Sequence, residues 1–224
     1  SVTKNGNAYA SGSGLSFSLT PDDNGSYVVT LNATDKDGGI GATSKTIAVT
    51  NVAPTSVTLS ATPATIDENG STTVSGTFTD PGILDGHTVV ITWGDSSPNT
   101  TLNLAANVLS FNADHQYLDN KPGNAAYTIS ATVTDKDSAS SSGSTTVTVN
   151  NVAPAVNAGD DATINEGGAF SSSGAFTDPG ADTWTATVDY GDGSGGQKLT
   201  LTGKTFNLSH VYADNGSYTV TVAV

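Results

Sequence analysis

The chain has 224 residues and a formal net charge of −14 at pH 7, because 21 acidic side chains outnumber 7 basic ones. A polypeptide this acidic lacks the basic face that nucleic-acid binding requires. Cysteine is absent, which excludes a disulfide scaffold and a thiolate metal site. No apolar run approaches the ~20 residues of a transmembrane helix.

Alternating side chains along the chain predict strands rather than helices. Tyr27, Val29, Leu31 and Ala33 lie on one face of the first such run, and the same period of two recurs over residues 127–134 and 218–224. This period places one face of a strand on a core and the other in water. Turn signals such as Asp-Asn-Gly and Asp-Pro-Gly separate the runs. The sequence therefore predicts an all-β fold.

The middle of the chain predicts about seven strands, the number in an immunoglobulin-like sandwich. In chain order they begin near Val57, Thr72, Thr88, Thr100, Val108, Tyr127 and Thr145. Without a disulfide, such a sandwich depends on apolar burial, and one core aromatic buries about 150–250 Å². The aromatic residues that we expect to anchor the cores are Trp93, Tyr117, Tyr127, Tyr190, Tyr212 and Tyr218.

Several motifs recur about one domain length apart. Asn51–Pro54 returns as Asn151–Pro154, a shift of 100 positions, and Phe78–Gly82 returns as Phe176–Gly180, a shift of 98. These shifts predict three tandem repeats. Residues 1–54 are the C-terminal part of a first repeat, residues 55–154 are a complete repeat, and residues 155–224 are a repeat that lacks its last hairpin.

The combined motifs resemble PKD-type repeats, named for the polycystic kidney disease protein. Tyr190–Gly193 matches the aromatic-Gly-Asp-Gly turn of that family, His210–Tyr212 matches its His-x-Tyr element, and Gly216–Val222 matches its Gly-x-Tyr-x-Val-x-Val strand. The Phe-Thr-Asp-Pro-Gly and Asn-Val-Ala-Pro elements resemble the variant found in large bacterial surface proteins. The resemblance implies tandem immunoglobulin-like (PKD-like) β-sandwiches that serve as spacer, adhesion or ligand-binding modules outside the cell.

The histidines do not indicate catalysis. His87, His115 and His210 are the only three, and a Ser-His-Asp arrangement needs a positioned nucleophile and an orienting acid. We expect His115 and His210 to be hydrogen-bonded residues packed near a core aromatic. His87 aligns with Trp184, so that position accepts unlike chemistry. The sequence predicts that the protein is not an enzyme.

Clustered carboxylates at predicted loop ends are the candidate metal ligands. Calcium takes about 6–8 oxygen ligands, mostly carboxylates and carbonyls, and strand order in an immunoglobulin-like topology gathers acidic loops at each pole of a repeat. The candidate residues are Asp23, Asn51, Glu68, Asp80, Asp95, Asp135, Asp137, Asn151, Asp178 and Asp182, with Asp67, Asp85 and Asp119 nearby. We expect Ca²⁺ to stiffen the junctions between repeats. The alternative is a solvated acidic surface that only aids solubility.

Trp184 is the candidate residue for ligand binding. It follows the Asp178–Gly180 turn, where an open indole face would stack on a sugar. Strand parity opposes this role, because residues 184, 186, 188 and 190 share a register that turns Trp184 toward the core side. The alternative is packing at the edge of the core or against the next domain.

These features together predict a non-catalytic structural or adhesive repeat array of an extracellular cell-surface or fibre-forming protein. The expected partners are neighbouring repeats of the same chain, other copies in a fibre or surface layer, and surface glycans; nucleic acid and membrane insertion are not expected. The alternative function is a carbohydrate- or protein-binding accessory module of a secreted hydrolase.

Overall fold

The structure is a computed structural model that describes residues 1–14 and 16–224. The described residues form 19 strands and a single turn of 3-10 helix, Pro122–Asn124, so the all-β prediction is confirmed. No helix in this part of the chain is long and apolar enough to cross a membrane. The chain divides into two compact units: residues 1–64, 72–115 and 127–147 in the first, and residues 65–71, 116–126 and 148–224 in the second.

The N-terminal sheet of the first unit has the order β2-β1-β3-β4. Its strands are β1 (Val2–Lys4), β2 (Asn7–Ala10), β3 (Gly25–Thr34) and β4 (Ile40–Val49). β3 and β4 pair antiparallel along their whole length. Tyr27 on β3 is 1% exposed, whereas Leu31 is 65% exposed. The alternating face of β3 is therefore buried at its first end only.

The middle of the chain forms a sandwich of two sheets. One has the order β10-β7-β5 and the other the order β6-β12-β11-β8-β9. The strands are β5 (Thr55–Thr62), β6 (Thr65–Asp67), β7 (Ser71–Thr79), β8 (His87–Thr92), β9 (Thr100–Leu104), β10 (Ser110–Gln116), β11 (Tyr127–Asp135) and β12 (Ser140–Asn150). The first of the seven expected strands is thus two strands, one in each sheet. Pro63 lies between them and has no N–H to continue a ladder.

Strict alternation of burial builds the core of the first unit. Ile129, Ala131 and Val133 of β11 are fully buried, while the residues between them face outward. Val89 and Ile91 of β8 are also 0% exposed, and β8 pairs antiparallel with β11. The period of two read from the sequence therefore gives one buried face to each central strand.

The second unit contains two further sheets, with the orders β13-β14-β18-β17 and β16-β15-β19. Their strands are β13 (Ala155–Asn157), β14 (Ala169–Thr177), β15 (Ala186–Asp189), β16 (Gln197–Leu199), β17 (Leu201–Thr202), β18 (Thr205–Val211) and β19 (Thr221–Ala223). Ala186, Val188, Tyr190, Phe206 and Leu208 form the centre of its core. In the same unit, β6 pairs in parallel with Thr148–Asn150 at the end of β12. The repeat boundaries after residues 54 and 154 stay a prediction.

Candidate functional site

In the first unit, a histidine on β10 stacks on the tryptophan that follows β8. The ring of His115 lies 4.3 Å from that of Trp93 with 6° between their planes. Nε2 of His115 contacts Oδ2 of Asp95 at 2.7 Å and Oγ of Ser97 at 3.3 Å. A catalytic triad needs the hydroxyl on one ring nitrogen and the acid on the other, whereas here both face the same nitrogen. The arrangement therefore suits a structural bond better than activation of Ser97.

The second unit repeats this arrangement with tyrosine in place of tryptophan. His210 stacks on Tyr190 at 4.3 Å and 10°, and its Nε2 contacts Oδ2 of Asp192 at 2.8 Å. Hydrogen bonds from Ser194 and His210 lower the pKa of Asp192 to about 2. Tyr212 donates its hydroxyl to the backbone oxygen of Tyr190 at 2.9 Å. Stacking and hydrogen bonds thus connect the aromatic-Gly-Asp turn directly to the His-x-Tyr element.

The Asp-Pro-Gly turn also has the same construction in both units. In the first, Oδ1 of Asp80 accepts from the N–H of Gly82 at 2.8 Å, and Oδ2 lies 3.1 Å from Nε2 of His87. In the second, Oδ1 of Asp178 accepts from the N–H of Gly180 at 2.9 Å, and Oδ2 accepts the indole N–H of Trp184 at 3.1 Å. The imidazole of His87 and the indole of Trp184 therefore have the same structural role, because each places a ring nitrogen within hydrogen-bond distance of a buried carboxylate.

Two overlapping acidic groups lie in the first unit. Asp23, Asp85 and Asp137 form one group, and Asp80, Asp85 and Asp135 form the other; within each group the three carboxylate oxygens lie within 4.8 Å of one another. Such separations suit a shared cation. The structure thus brings together five of the predicted acidic candidates, Asp85 included.

Lys136 inserts its amine into the first of these groups. Nζ donates to Asp23 at 2.8 Å and to Asp137 at 2.7 Å, and it also contacts Asp85. Burial lowers the pKa of Lys136, but the hydrogen bonds with these three carboxylates outweigh it and hold that pKa above its ordinary value. The amine of Lys136 therefore supplies a positive charge within an acidic group for which the sequence predicts bound Ca²⁺.

The second group of the first unit is largely engaged by protein donors. Oδ1 of Asp135 accepts from the backbone N–H of Asp137 and of Ala139, both at 2.9 Å, and Oδ2 accepts from Nδ2 of Asn51 at 2.7 Å. Oδ2 of Asp85 is buried without a hydrogen-bond partner. Burial raises the pKa of Asp85, and Lys136 opposes that rise.

A third acidic group lies within the second unit. Oxygens of Glu68, Asp178 and Asp182 lie within 4.8 Å of one another. Burial raises the pKa of Glu68, and the charges of Asp182, Asp178 and Asp119 add to the rise. Burial also raises the pKa of Asp182, followed by the charges of Asp119 and Asp178, while Lys204 opposes it. The carboxylates of this group thus lie close enough to repel one another when they are ionised.

Comparison with known proteins identifies the C-terminal part of the chain. Residues 151–224 match the family model described as PKD domain. This part of the chain is similar to PKD domains. No curated protein matches the chain. Among solved structures, the chicken CNTN1 FN1-FN3 domains align with 89% of this chain and 72% of their own, at 10% identity and a TM-score of 0.30.

Within the part of the chain that matches the PKD model, other side chains contact Trp184 on several sides. Its ring meets Phe176 edge to face at 5.4 Å, and Nζ of Lys204 lies 4.8 Å from its centroid. Its N–H bonds to Asp178. These contacts follow the strand parity that turns the side chain toward the core, and they reduce the face open to a sugar.

Asp95 and Asn151 stand apart from the predicted clusters. Asp95 bonds to Ser97 and His115 and belongs to none of the acidic groups that the described residues form. Asn151 is exposed and donates its backbone N–H to Oδ1 of Asn124 at 3.3 Å. The predicted core aromatics Trp93, Tyr117, Tyr127, Tyr190 and Tyr212 are buried, and Tyr218 is half-buried and stacks on Tyr212.

Sequence reasoning missed the role of Lys136. The only available signal was the recurrence of Asp35-Lys36-Asp37 as Asp135-Lys136-Asp137. The two lysines differ in their surroundings, because the side chain of Lys36 is 87% exposed and pairs with Asp37, whereas that of Lys136 is 37% exposed. The motif alone does not distinguish a solvated lysine from one that neutralises an acidic group.

Proposed function

We propose that this chain is a non-catalytic repeat module of an extracellular surface or fibre-forming protein, where it acts as a spacer and assembly element. The observation that carries the proposal is the repetition of the same internal bonds in both units. His115 and His210 each stack on an aromatic anchor and bond to an aspartate. Residue types that often perform catalysis therefore fix turns here, which supports a non-catalytic module.

Exposed strand edges support an assembly role with other copies of the protein. β4 has ten residues, and β3 is its one neighbour in its sheet among the described strands. All but the last residue of β4 are exposed. Because an edge strand presents unpaired N–H and C=O groups, it is a template for pairing with another chain. Surface glycans are the less supported partners, since Trp184 is engaged by Asp178, Phe176 and Lys204.

Single-molecule stretching of the whole chain tests the spacer role. A repeat of about 100 residues adds roughly 330–360 Å of extended chain when it unfolds. We expect the middle repeat to unfold as a separate event with an increment near that value, less its folded length. One event that released the entire chain at once would contradict a series of separately folded spacers.

A glycan-array comparison separates the alternative function, a carbohydrate-binding accessory module. We expect no glycan signal that depends on Trp184, because its contacts hold it within its own domain. A signal that is present in the wild-type chain and lost in Trp184→Ala, with the fold retained, would favour the accessory module over the spacer.

A further inference from the structure

Glu68 is a buried member of the acidic group of the second unit, and one of its carboxylate oxygens has no hydrogen-bond partner among the described residues. It is 3% exposed. Its Oε1 accepts the backbone N–H of Val152 at 2.7 Å, but its Oε2 is buried without a hydrogen-bond partner in the described structure. An unpaired buried carboxylate oxygen is expensive, and buried charges are normally paired or bound to a metal. The side chain is therefore held by one oxygen and presents the other to its surroundings.

The free oxygen of Glu68 points into the acidic group. A Cβ placed on Gly180 would lie 2.5 Å from Oε2 of Glu68 and 2.7 Å from Oδ2 of Asp182. Both oxygens therefore lie close to the backbone at Gly180, and a side chain there would displace them. Asp178, 7% exposed, completes the group.

No basic side chain forms an ion pair with Glu68, Asp178 or Asp182 in the described part of the chain. The nearest base in their contacts is Lys204, which donates to the backbone oxygen of Asp178 at 2.6 Å rather than to a carboxylate. Its amine also lies over the ring of Trp184. Lys204 thus offsets the negative charge from outside the group and leaves Oε2 of Glu68 without a partner.

We propose that Glu68, Asp178 and Asp182 bind one hard divalent cation of the Ca²⁺ class. All the side-chain ligands are carboxylate oxygens, which suit Ca²⁺ or Mg²⁺ and not the softer metals that prefer imidazole or thiolate. A divalent ion offsets two of the three negative charges that the ionised carboxylates carry, and water fills the remaining ligand positions. Because Glu68 also holds Val152, the ion ties the Asn151–Pro154 segment to the Asp-Pro-Gly turn.

The acidic groups of the first unit provide the contrast. Lys136 already contacts Asp23, Asp85 and Asp137, while His87 and Asn51 contact Asp80 and Asp135. Oδ2 of Asp85 is also buried without a hydrogen-bond partner in the part of the chain that the structure describes, but a divalent ion beside it would meet the ammonium group of Lys136, which contacts the other oxygen of Asp85. Among the acidic groups of the described residues, the cation therefore belongs at Glu68 and not at the groups around Lys136.

Calcium titration of the full, chelator-treated chain by calorimetry tests the assignment. We expect one bound ion, and we expect Glu68→Gln and Asp182→Asn each to weaken binding by about tenfold or more, because each removes a charged ligand. Two variants serve as controls, since each removes a comparable carboxylate elsewhere. Asp85→Asn alters the group around Lys136, and Glu166→Gln changes the exposed residue that occupies the position of Glu68 in the next repeat. Both are expected to retain wild-type affinity.

Terbium luminescence locates the ion independently of stability. The indole of Trp184 bonds to Asp178, so excitation of tryptophan should sensitise a bound Tb³⁺. Trp184→Phe should abolish the luminescence and still bind Ca²⁺ in the calorimeter. Luminescence that is as strong in Trp184→Phe as in the wild type but is lost in Trp93→Phe would place the ion elsewhere and overturn the assignment.

Three further results would also overturn it. One is the absence of calcium binding at millimolar concentration by the folded wild-type chain. Another is binding that survives both Glu68→Gln and Asp182→Asn but is lost in Asp85→Asn. The third is a Glu68→Gln chain that melts higher than the wild type with and without Ca²⁺, which would show that Glu68 is simply protonated. None of these results depends on the spacer role, which the stretching experiment tests by itself.

Discussion

The imidazole of His115 lies flat on the indole of Trp93, with 4.3 Å between ring centroids and 6° between planes. Trp93 is 1% exposed, so the histidine covers one of the largest buried side chains of the core. The same ring is fixed by Asp95 at 2.7 Å. Stacking and hydrogen bonding thus act together on one residue, and both are lost when it is truncated.

His115→Ala should therefore destabilise the first unit. Loss of an aromatic contact and of a hydrogen bond to a carboxylate is expected to lower the free energy of unfolding by about 1–3 kcal/mol. Urea denaturation measures the change. His115→Phe retains the ring but not the bond and should lie between the wild type and the alanine variant. Equal stability of all three proteins would contradict a structural role for the pair.

Lys136→Met should destabilise the first unit far more than Lys36→Met. Removal of the amine leaves Asp85, 1% exposed, without its cation. Because Lys136 is partly open to solvent, the expected loss is about 1–3 kcal/mol rather than the full cost of a buried ion pair. Lys36 pairs with Asp37 at the surface, so its variant is expected to change stability by roughly 0–0.5 kcal/mol.

The double variant Asp85→Asn with Lys136→Met separates charge from packing. If the cost of Lys136→Met comes from the stranded carboxylate, neutralising Asp85 should recover part of it. Thermal melting of the single and double variants at one pH gives the coupling between the two sites. Strictly additive changes would show that Lys136 contributes through its stem alone.

The strands were predictable because their pattern is local. Val89, Ile91 and Trp93 are spaced by two in the sequence, and all three are buried. A period of two requires no knowledge of what lies across the core. The division of the first expected strand at Pro63 into β5 and β6 was not predicted, because the exchange between sheets depends on which neighbour each half meets.

The acidic groups were predictable only as a list of candidates. Glu68 and Glu166 occupy matching positions after Ile66 and Ile164, yet Glu68 is buried and Glu166 is exposed. The difference arises because Val152 and Gly180 contact Glu68. Contacts of that kind join residues far apart in the sequence, and no local pattern encodes them.

Stability at low pH should depend on Asp192. Its pKa is lowered from 3.8 to about 2 in the folded chain. A carboxyl whose pKa is lower in the folded state stabilises that state fully above its unfolded pKa and loses the effect as pH falls through the folded one. The melting temperature of the wild type should therefore exceed that of Asp192→Asn above pH 4, and the gap should close between pH 4 and 2.

Ser194→Ala is the intermediate case for this pH effect. Ser194 is the largest contributor to the lowered pKa of Asp192, and its backbone N–H, which remains in the variant, donates to Oδ1 at 3.0 Å. We expect the difference in melting temperature between Ser194→Ala and Asp192→Asn to be smaller than that between the wild type and Asp192→Asn. We also expect it to close at a higher pH. A gap that stays constant down to pH 2 would contradict the assigned pKa.

Substitution of Gly94 should lower the free energy of unfolding more than substitution of a glycine that has open space around it. It adopts a φ of +80°, and a Cβ there would lie 2.4 Å from the backbone oxygen of Thr128. Backbone strain and a clash with a fixed strand act together, so Gly94→Ala is expected to lower the free energy of unfolding by about 3 kcal/mol or more. Gly191, in the matching turn, has a φ of +76° and would place its Cβ 2.6 Å from Thr219, so it should behave alike.

Gly38→Ala is the matched control, because Gly38 has a φ of +89° but nothing within 4 Å of the added Cβ. It should cost only the strain of the left-handed conformation, about 1–2 kcal/mol. Hydrogen exchange over residues 127–133 gives a second measurement, since β11 carries the oxygen of Thr128 and should lose protection in Gly94→Ala alone. Equal costs for the two variants would mean that β11 moves aside freely, and that the aromatic-Gly-Asp turn does not require close contact between the two backbones.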